Sequence, residues 1–483
     1  MITLYLLLVL FPLPAAIVLG FLRGARSILT VNAAVSLLML GLGTGFALSA
    51  HGVLGDGFVL ADAFARLLLT ISLLVGAASA VFAVPYFLGR VARGHLPARR
   101  VRLFGVLYPI FLDTVIVALT SNNLGVLWIA LEASTLATVF MVSLERSPGG
   151  IEAAWKYLIL CGVGLALALF GTVLIDLAAA PLHLPAGERL LWSVLSHARG
   201  ALAPGAITTA FAFLLVGYGT KAGLVPIHHW LPDAHAQGPA PVSAVLSGIL
   251  LNVALDPVVR AEALAEGALH SNLPGLFLVG FGMASVIVAA LLLWRQYDLK
   301  RLWAYSSIEH MGLAALGFGI GTPLAVLGAT LEMSVHALSK SSLFFTTGAV
   351  SQSHGTQDVR AIHGLLARRP LQGVALLLGG WAILGLPPCG TFISELLIVL
   401  AAVHLSPLLA LVLLGALLTA FAAIAGRLQE VLWGGGGRRR PERAFALVPV
   451  FASLALVLLL GVTLPPPFAS WYRTTVPLLG LRP

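Results

Sequence analysis

Along the chain, apolar runs alternate with short polar stretches from the first residues to the last. A helix needs about 20 apolar residues to cross a bilayer, and each run reads as one such span. Fourteen are predicted, near residues 2–22, 28–50, 64–88, 103–120, 123–143, 154–180, 207–231, 240–260, 274–294, 302–320, 323–349, 371–402, 407–432 and 444–466. The polar stretches between them are too short for a soluble domain. The first run is too long for a signal-peptide core and has no basic start, so it reads as a span and not as a leader. The pattern predicts an all-α, polytopic membrane protein.

Two spans carry breaks. The seventh contains Gly217, Gly219, Gly223 and Pro226; the twelfth contains Gly385, Pro387, Pro388 and Gly390. Proline removes a backbone donor and clashes with the preceding turn. In lipid the freed carbonyls need other partners, so broken helices persist only inside a bundle or beside a wet cavity. The breaks lie five spans apart, an odd offset that inverts orientation, and paired breaks of this kind mark an inverted-repeat transporter core. Similar spacings accompany them: 89 residues separate Glu132 from Lys221, and 86 separate Glu309 from Glu395. The expected organisation is spans 1–3 over 1–102, a first five-helix repeat over 103–260, an inverted second repeat over 274–432, and a C-terminal span and tail over 444–483.

Composition agrees. Of 483 residues, 59% are hydrophobic and 10% charged, and the mean hydropathy is +1.00, whereas soluble domains carry about 25% charged residues. The net charge of +9 does not point to nucleic acid, because the basic residues sit in short loops. With the N-terminus outside, 20 of the 28 fall in inner loops, among them Arg23, Arg90, Lys156, Lys300, Arg369, Arg438 and Arg443. Six fall outside: Arg66, Arg189, Arg199, Arg260, Arg473 and Arg482. This split follows the positive-inside rule and predicts both termini on the outer, periplasmic side of a bacterial-type inner membrane. Cys161 and Cys389 are far apart, no paired-cysteine motif occurs, and no GxGxxG follows a strand-like run. No metal centre or bound cofactor is therefore expected.

The chemistry lies in the exceptions to apolarity. A charge at the bilayer centre costs at least about 2.5–3.5 kcal/mol and marks function when several occur together. Glu132 lies in the fifth span, Lys221 just before the Pro226 break, and Glu395 just after the Pro387-Pro388 break. Glu332, His336 and Lys340 recur at intervals of four in the eleventh span and share one helix face. The chain has four lysines against 24 arginines, yet Lys221 and Lys340 fall within spans. Arginine keeps its proton in a protein, whereas a buried lysine releases it readily, and a nearby carboxylate opposes that release. A lysine–glutamate pair is thus a switchable proton site, and histidine is a natural relay. His228, His229 and His235 around Asp233 read as a water-access feature at a helix end. Asp113 and Asp176 read as solvated or capping residues near span ends. Asp256, before Pro257, reads either as a further protonatable site or as an early exit of the eighth span.

These residues carry a family resemblance. Lys221–Ser243 (KAGLVPIHHWLPDAHAQGPAPVS), Asp298–Gly312 (DLKRLWAYSSIEHMG) and His336–Phe345 (HALSKSSLFF) resemble segments of the antiporter-like membrane subunits of respiratory complex I, energy-converting hydrogenases and multisubunit cation/proton antiporters. The likeness runs from about the third span to the thirteenth. Asn123–Thr138 (NLGVLWIALEASTLAT), Glu152–Gly162 (EAAWKYLILCG) and the Glu309-His310 pair are similar to the branch that includes hydrogenase-4 component F. The resemblance implies that Glu132 tunes Lys221, that Lys340 with His336 forms a central relay, and that Glu395 is the terminal site. His228, His235, Glu309, His310, Glu332 and Asp256 are auxiliary candidates. Ser247 stands where many members carry histidine and Asn252 where some carry lysine, which shifts the middle of the path toward Glu309, His310 and water. The implied activity is proton translocation, with sodium as the alternative ion, driven by electron transfer in partner subunits of a redox complex. The alternative is a subunit of a cation/proton antiporter or an inorganic-carbon uptake transporter without redox partners. The implied partners are other membrane subunits, redox subunits and the lipid bilayer.

Overall fold

The computed structural model describes residues 1–434, 439–442 and 444–479; Arg438, Arg443 and Arg482 lie outside the described residues. The helices follow the predicted runs: α1 (Ile2–Phe21, kinked at Phe11-Pro12), α2 (Ala25–Ser49), α3 (Ala63–Ala92), α4 (Ala98–Thr120), α5 (Leu124–Val142) and α6 (Pro148–Ala178). The seventh segment is α7a (Pro204–Ala222) and α7b (Trp230–Gln237), followed by α8 (Ala240–Leu269), α9 (Leu273–Leu293), α10 (Leu299–Ile320) and α11 (Pro323–His354). The twelfth is α12a (Pro370–Ile383) and α12b (Gly390–Leu405), then come α13 (Pro407–Leu432), α14 (Val448–Val462) and a short α15 (Pro466–Leu478). Among the described residues, ten helices are long and apolar enough to cross a membrane, and α12a and α12b are shorter apolar helices.

Local chemistry sets many helix starts. Asp62, Asn123, Ser147 and Asp298 cap α3, α5, α6 and α10, each accepting from a first-turn amide, and proline stands in the first turn of α6, α7a, α11, α12a and α13, where its missing donor costs nothing. α8 is enclosed over its whole apolar stretch, whereas α13 is buried over 33% of its own; α8 is therefore a core helix and α13 turns most of its surface outward. Small residues bring core helices together, as is usual where lipid supplies no hydrophobic drive. A Cβ on Gly217 of α7a would stand 2.6 Å from the Gly164 carbonyl of α6, and one on Gly282 of α9 would stand 2.5 Å from the Gly312 carbonyl of α10.

Loops predicted on the inner side are tied to one another. Arg90 pairs with Glu145, Arg301 with Asp233, and Arg93 donates to Gln352. At the opposite end, Asn122 donates to the Gly57 carbonyl and to Ser193.

Four local expectations are corrected. A two-stranded antiparallel hairpin, Gly52–Leu54 with Val59–Ala61, joins α2 to α3. α8 does not end at Asp256-Pro257 but runs on to Leu269. Arg66 and Arg260 are not loop residues: both are buried in helices, with Arg260 paired to Asp256 and Asp62. Asp113 lies buried well inside α4 and caps nothing. In the last three cases neighbouring helices cover a polar residue that hydropathy alone assigns to a boundary.

Candidate functional site

The breaks are where predicted, but α7a stays helical through Gly217-Tyr218-Gly219 and ends at Ala222. Gly223 takes φ +82°, a conformation glycine adopts without strain. The amides of Gly223 and Leu224 then turn back to the carbonyls of Thr220 and Gly219. Trp230 of α7b donates its indole N–H to the same Thr220 carbonyl at 2.8 Å. Pro226 lies in the gap, and the Val225-Pro226 bond is cis. The second break is closed similarly: Trp381 donates to the Pro387 carbonyl at 3.0 Å, and the Pro387-Pro388 bond is cis. Each interruption is thus tied across by a tryptophan indole that donates to a backbone carbonyl at the break.

Lys221 is fully buried on the last turn of α7a. Its Nζ donates to the Leu131 carbonyl at 2.8 Å and to Thr135 Oγ1, both on α5. It makes no ion pair with Glu132, which stands beside Leu131 with Oε2 buried and without a protein partner. The ammonium is therefore held by neutral oxygens one residue away from a carboxylate. Thr138 continues this side, meeting the Tyr157 hydroxyl at 2.7 Å, and Tyr157 stacks on Trp230.

Beyond Lys221 lies His235 of α7b. Its Nδ1 meets the Leu231 carbonyl at 2.8 Å, while Nε2 is buried without a protein partner. In the middle of the molecule α8 opens into a π turn over Leu246–Leu250. There the Ser247 hydroxyl meets Ser307 of α10 at 2.8 Å. Ser307 donates to the Trp303 carbonyl, and Lys340 of α11 donates to that carbonyl at 3.2 Å. Two hydroxyls and a shared carbonyl therefore occupy the place where the family resemblance expects a histidine. Asn252 donates to the Met333 carbonyl at 2.8 Å.

Past Lys340 the stripe on α11 divides its partners. His336 is fully buried, neither ring nitrogen has a protein partner, and its ring lies 5.9 Å from that of His310. Glu332 does not meet His336. It accepts from His310 Nδ1 at 2.7 Å and from the Ser394 hydroxyl at 2.5 Å. Glu309 is buried on α10 beside His310. Next to Ser394, Glu395 is half-buried, and its carboxylate fills the space over Gly385 in the twelfth-segment break. Gly385 has φ +61°, so glycine serves there both the turn and the carboxylate.

The residues thus brought together are Glu132, Lys221, His235, Lys340, His336, His310, Glu332, Ser394 and Glu395. Buried polar groups without protein partners are satisfied by water in folded proteins. Besides the histidines, they include Ser306, Ser339, Thr391 and the Asn252 carbonyl oxygen, all on helices that flank this line. Two candidates fall elsewhere. His228 stacks on His229 at 4.4 Å near the first break, and Asp256 is bound by Arg260 at 2.9 Å. Among the described residues no group of three or more His, Cys, Asp or Glu is arranged to hold a metal ion.

Two buried polar side chains near the line escaped the sequence reading. Ser394 is one, an ordinary helix serine until α11 packs against it. Lys300 is the other, assigned to an inner loop but buried, with Nζ on the Gly238 carbonyl at 2.6 Å. The scarcity of lysine was the available signal.

Residues 121–421, which hold the whole line, match the sequence profile described as the membrane domain of the NADH:quinone oxidoreductase/Mrp antiporter family. The chain belongs to this family. This antiporter-like subunit is 42% identical over 417 residues to a hydrogenase-4 component F homolog of Methylacidiphilum infernorum, covering 86% of this chain and 87% of the relative. It spans 44% of the length of the Escherichia coli hydrogenase-4 component B, to which it is 27% identical over 60% of itself. Its fold superimposes on a subunit of an archaeal membrane-bound sulfane sulfur reductase with a TM-score of 0.85 at 24% identity, covering 98% and 96% of the two chains. A subunit of the Mrp complex from Dietzia gives a TM-score of 0.84 at 19% identity, covering 100% and 98%.

Proposed function

We propose that this chain is the proton-translocating subunit of a redox-driven membrane complex of the hydrogenase or NADH:quinone oxidoreductase type, and that it holds no redox centre itself. The observation that carries this reading is the line of buried ionisable side chains from Glu132 on α5 to Glu395 on α12b, which passes both broken helices. The line is alternately anchored and free. Lys221 and Lys340 are held by neutral oxygens, His235 and His336 keep unpartnered nitrogens, and His310–Glu332–Ser394 closes the distance to Glu395. A proton leaving Lys221 has acceptors as far as His336 without an ion pair that must first break, and the His310–Glu332 pair stands toward the Glu395 end of the line. In this reading spans 4–8 and 9–13 are the two inverted units, Lys221 is the lysine of the first and Lys340 the centre of the second. Both termini face the outer side of a bacterial-type inner membrane.

The test is reconstitution of the complete complex in vesicles. Lys221→Ala and Glu395→Gln should each slow proton uptake by this chain by about a hundredfold, the scale of losing a proton-transfer group, and lower the protons taken up per electron, while the complex still assembles. Unchanged uptake in both variants would falsify the assignment, and lost assembly with normal coupling of whatever assembles would make the buried charges structural. Purification decides the driving reaction: iron–sulfur or nickel–iron subunits should accompany the chain, and a complex consisting only of transporter subunits would assign it to a cation/proton antiporter or an inorganic-carbon transporter instead.

A further inference from the structure

At the basic end of the molecule α3, α11 and α12a surround a half-open cavity of about 420 Å³. Its long wall is one face of α3, formed by Phe82, Pro85 and Gly89 and continued by Arg93, the residue that caps the helix. From Phe82 to Arg93 that face extends about 16 Å at 1.5 Å per residue, roughly half the hydrocarbon thickness of a bilayer. The far end is apolar, with Ala349 and Leu447 facing Phe82 and Pro85, while Arg93 and Arg369 stand among the polar residues at the mouth.

Hydrogen bonds hold the side chains of the mouth. Arg93 donates from Nε to the Gly89 carbonyl at 3.0 Å, and from Nη1 and Nη2 to the Gln352 carbonyl and Oε1, both at 2.8 Å. Three of its five donors fix the guanidinium, and one on each terminal nitrogen remains available. Gln352 is itself anchored to the Tyr86 carbonyl. Arg369 donates from Nη1 to the Pro441 carbonyl at 3.1 Å, and its Nε is shielded from solvent without an acceptor among the described residues. Arg368 and Arg440 stand close by, within electrostatic reach of His354 together with Arg369. The carboxylate near Arg369, that of Glu442, accepts from the amides of Leu371 and Gln372 at the start of α12a. Cations therefore exceed anions at the mouth.

We propose that this cavity binds one anionic phospholipid, with its phosphate between Arg93 and Arg369 and an acyl chain along the α3 face down to Phe82. The arginine excess selects a net negative headgroup over a zwitterionic one. The apolar depth selects a lipid over free phosphate, which would leave most of the cavity unused.

Native mass spectrometry of the purified complex, stripped of lipid and titrated with phosphatidylglycerol, phosphatidylcholine or inorganic phosphate, tests this. One phosphatidylglycerol should bind to this chain well before phosphatidylcholine does. Arg93→Ala with Arg369→Ala should raise the half-saturating phosphatidylglycerol concentration about thirtyfold, the combined contribution of two arginines at a membrane surface. Ala349→Trp keeps both arginines and obstructs the apolar end, so it should weaken binding as well; it also decides the matter if the double variant fails to assemble. Equal binding of the two lipids overturns the proposal, as does wild-type affinity in either variant. Occupancy by phosphate alone with the same affinity would reduce the site to an anion site and overturn it too.

Discussion

Replacing Arg260 by methionine should destabilise the protein by about 3–5 kcal/mol, the cost of removing one partner from a buried ion pair. Arg260 on α8 lies between two carboxylates, Asp256 at 2.9 Å and Asp62 at 2.8 and 3.4 Å, with all three side chains 5% exposed or less. Its guanidinium also lies over the Trp192 ring at 5.0 Å. Methionine fills similar volume but strands two carboxylates away from water. The same reasoning requires that neutralising all three be nearly harmless, since a buried ion cluster gains little over neutral groups of its shape. The triple variant Arg260→Met, Asp62→Asn, Asp256→Asn should therefore recover most of the loss. Asparagine at 62 keeps the cap that accepts from Ala65 N at 2.7 Å. Denaturant unfolding of the purified protein in detergent gives both numbers. A single variant as stable as wild type, or a triple variant no better than the single, would refute the reasoning. Because the cluster lies off the line from Glu132 to Glu395, the triple variant should also retain proton uptake, which separates the placement of Asp256 from the auxiliary proton-transfer role the sequence suggested.

Gly217→Ala should cost about 1–3 kcal/mol by overpacking, because its Cβ would stand 2.6 Å from backbone atoms of Gly164 and Ala168; since Lys221 is one turn further along α7a, proton uptake should fall with stability, and a variant that packs and pumps normally would contradict the close approach. Outside the membrane, hydrogen bonds from Arg360 hold the Asp358 carboxyl below its ordinary value. Its ionised form is thus favoured by folding, and the resulting stabilisation is fully present above that ordinary value and is lost as pH falls below it and through the lowered folded value. Amide exchange at Val359–Ala361 should stay slow near neutral pH and quicken in acid, and an Asp358→Asn variant should show no such acid step.

How much of this was legible follows from what each signal encodes. Glu132, Lys221, Lys340 and Glu395 stand out in the sequence because each interrupts an apolar run, and that is a one-dimensional fact. The breaks at Pro226 and Pro387-Pro388 are equally local, since proline removes a donor wherever it stands. The face shared by Glu332, His336 and Lys340 follows from helical periodicity alone. Periodicity tells which residues share a face, but not which helix that face meets.

Everything that depends on the facing helix was decided in three dimensions. Lys221 is held by Leu131 and Thr135 and not by the carboxylate of Glu132; Glu332 turns to His310 and Ser394 and away from His336. Lys300, assigned to a loop, is buried at the end of α7b, and Asp256 found its cation in an arginine that also reaches Asp62, 198 residues away. The sequence by itself determined that helices cross a bilayer, where two of them break, and which residues place charge inside, because transfer from water and helix geometry act residue by residue. Only the tertiary structure decided which charges meet, since a buried ionisable group takes the partner that packing brings within about 3 Å, and packing is settled by residues distant in the chain.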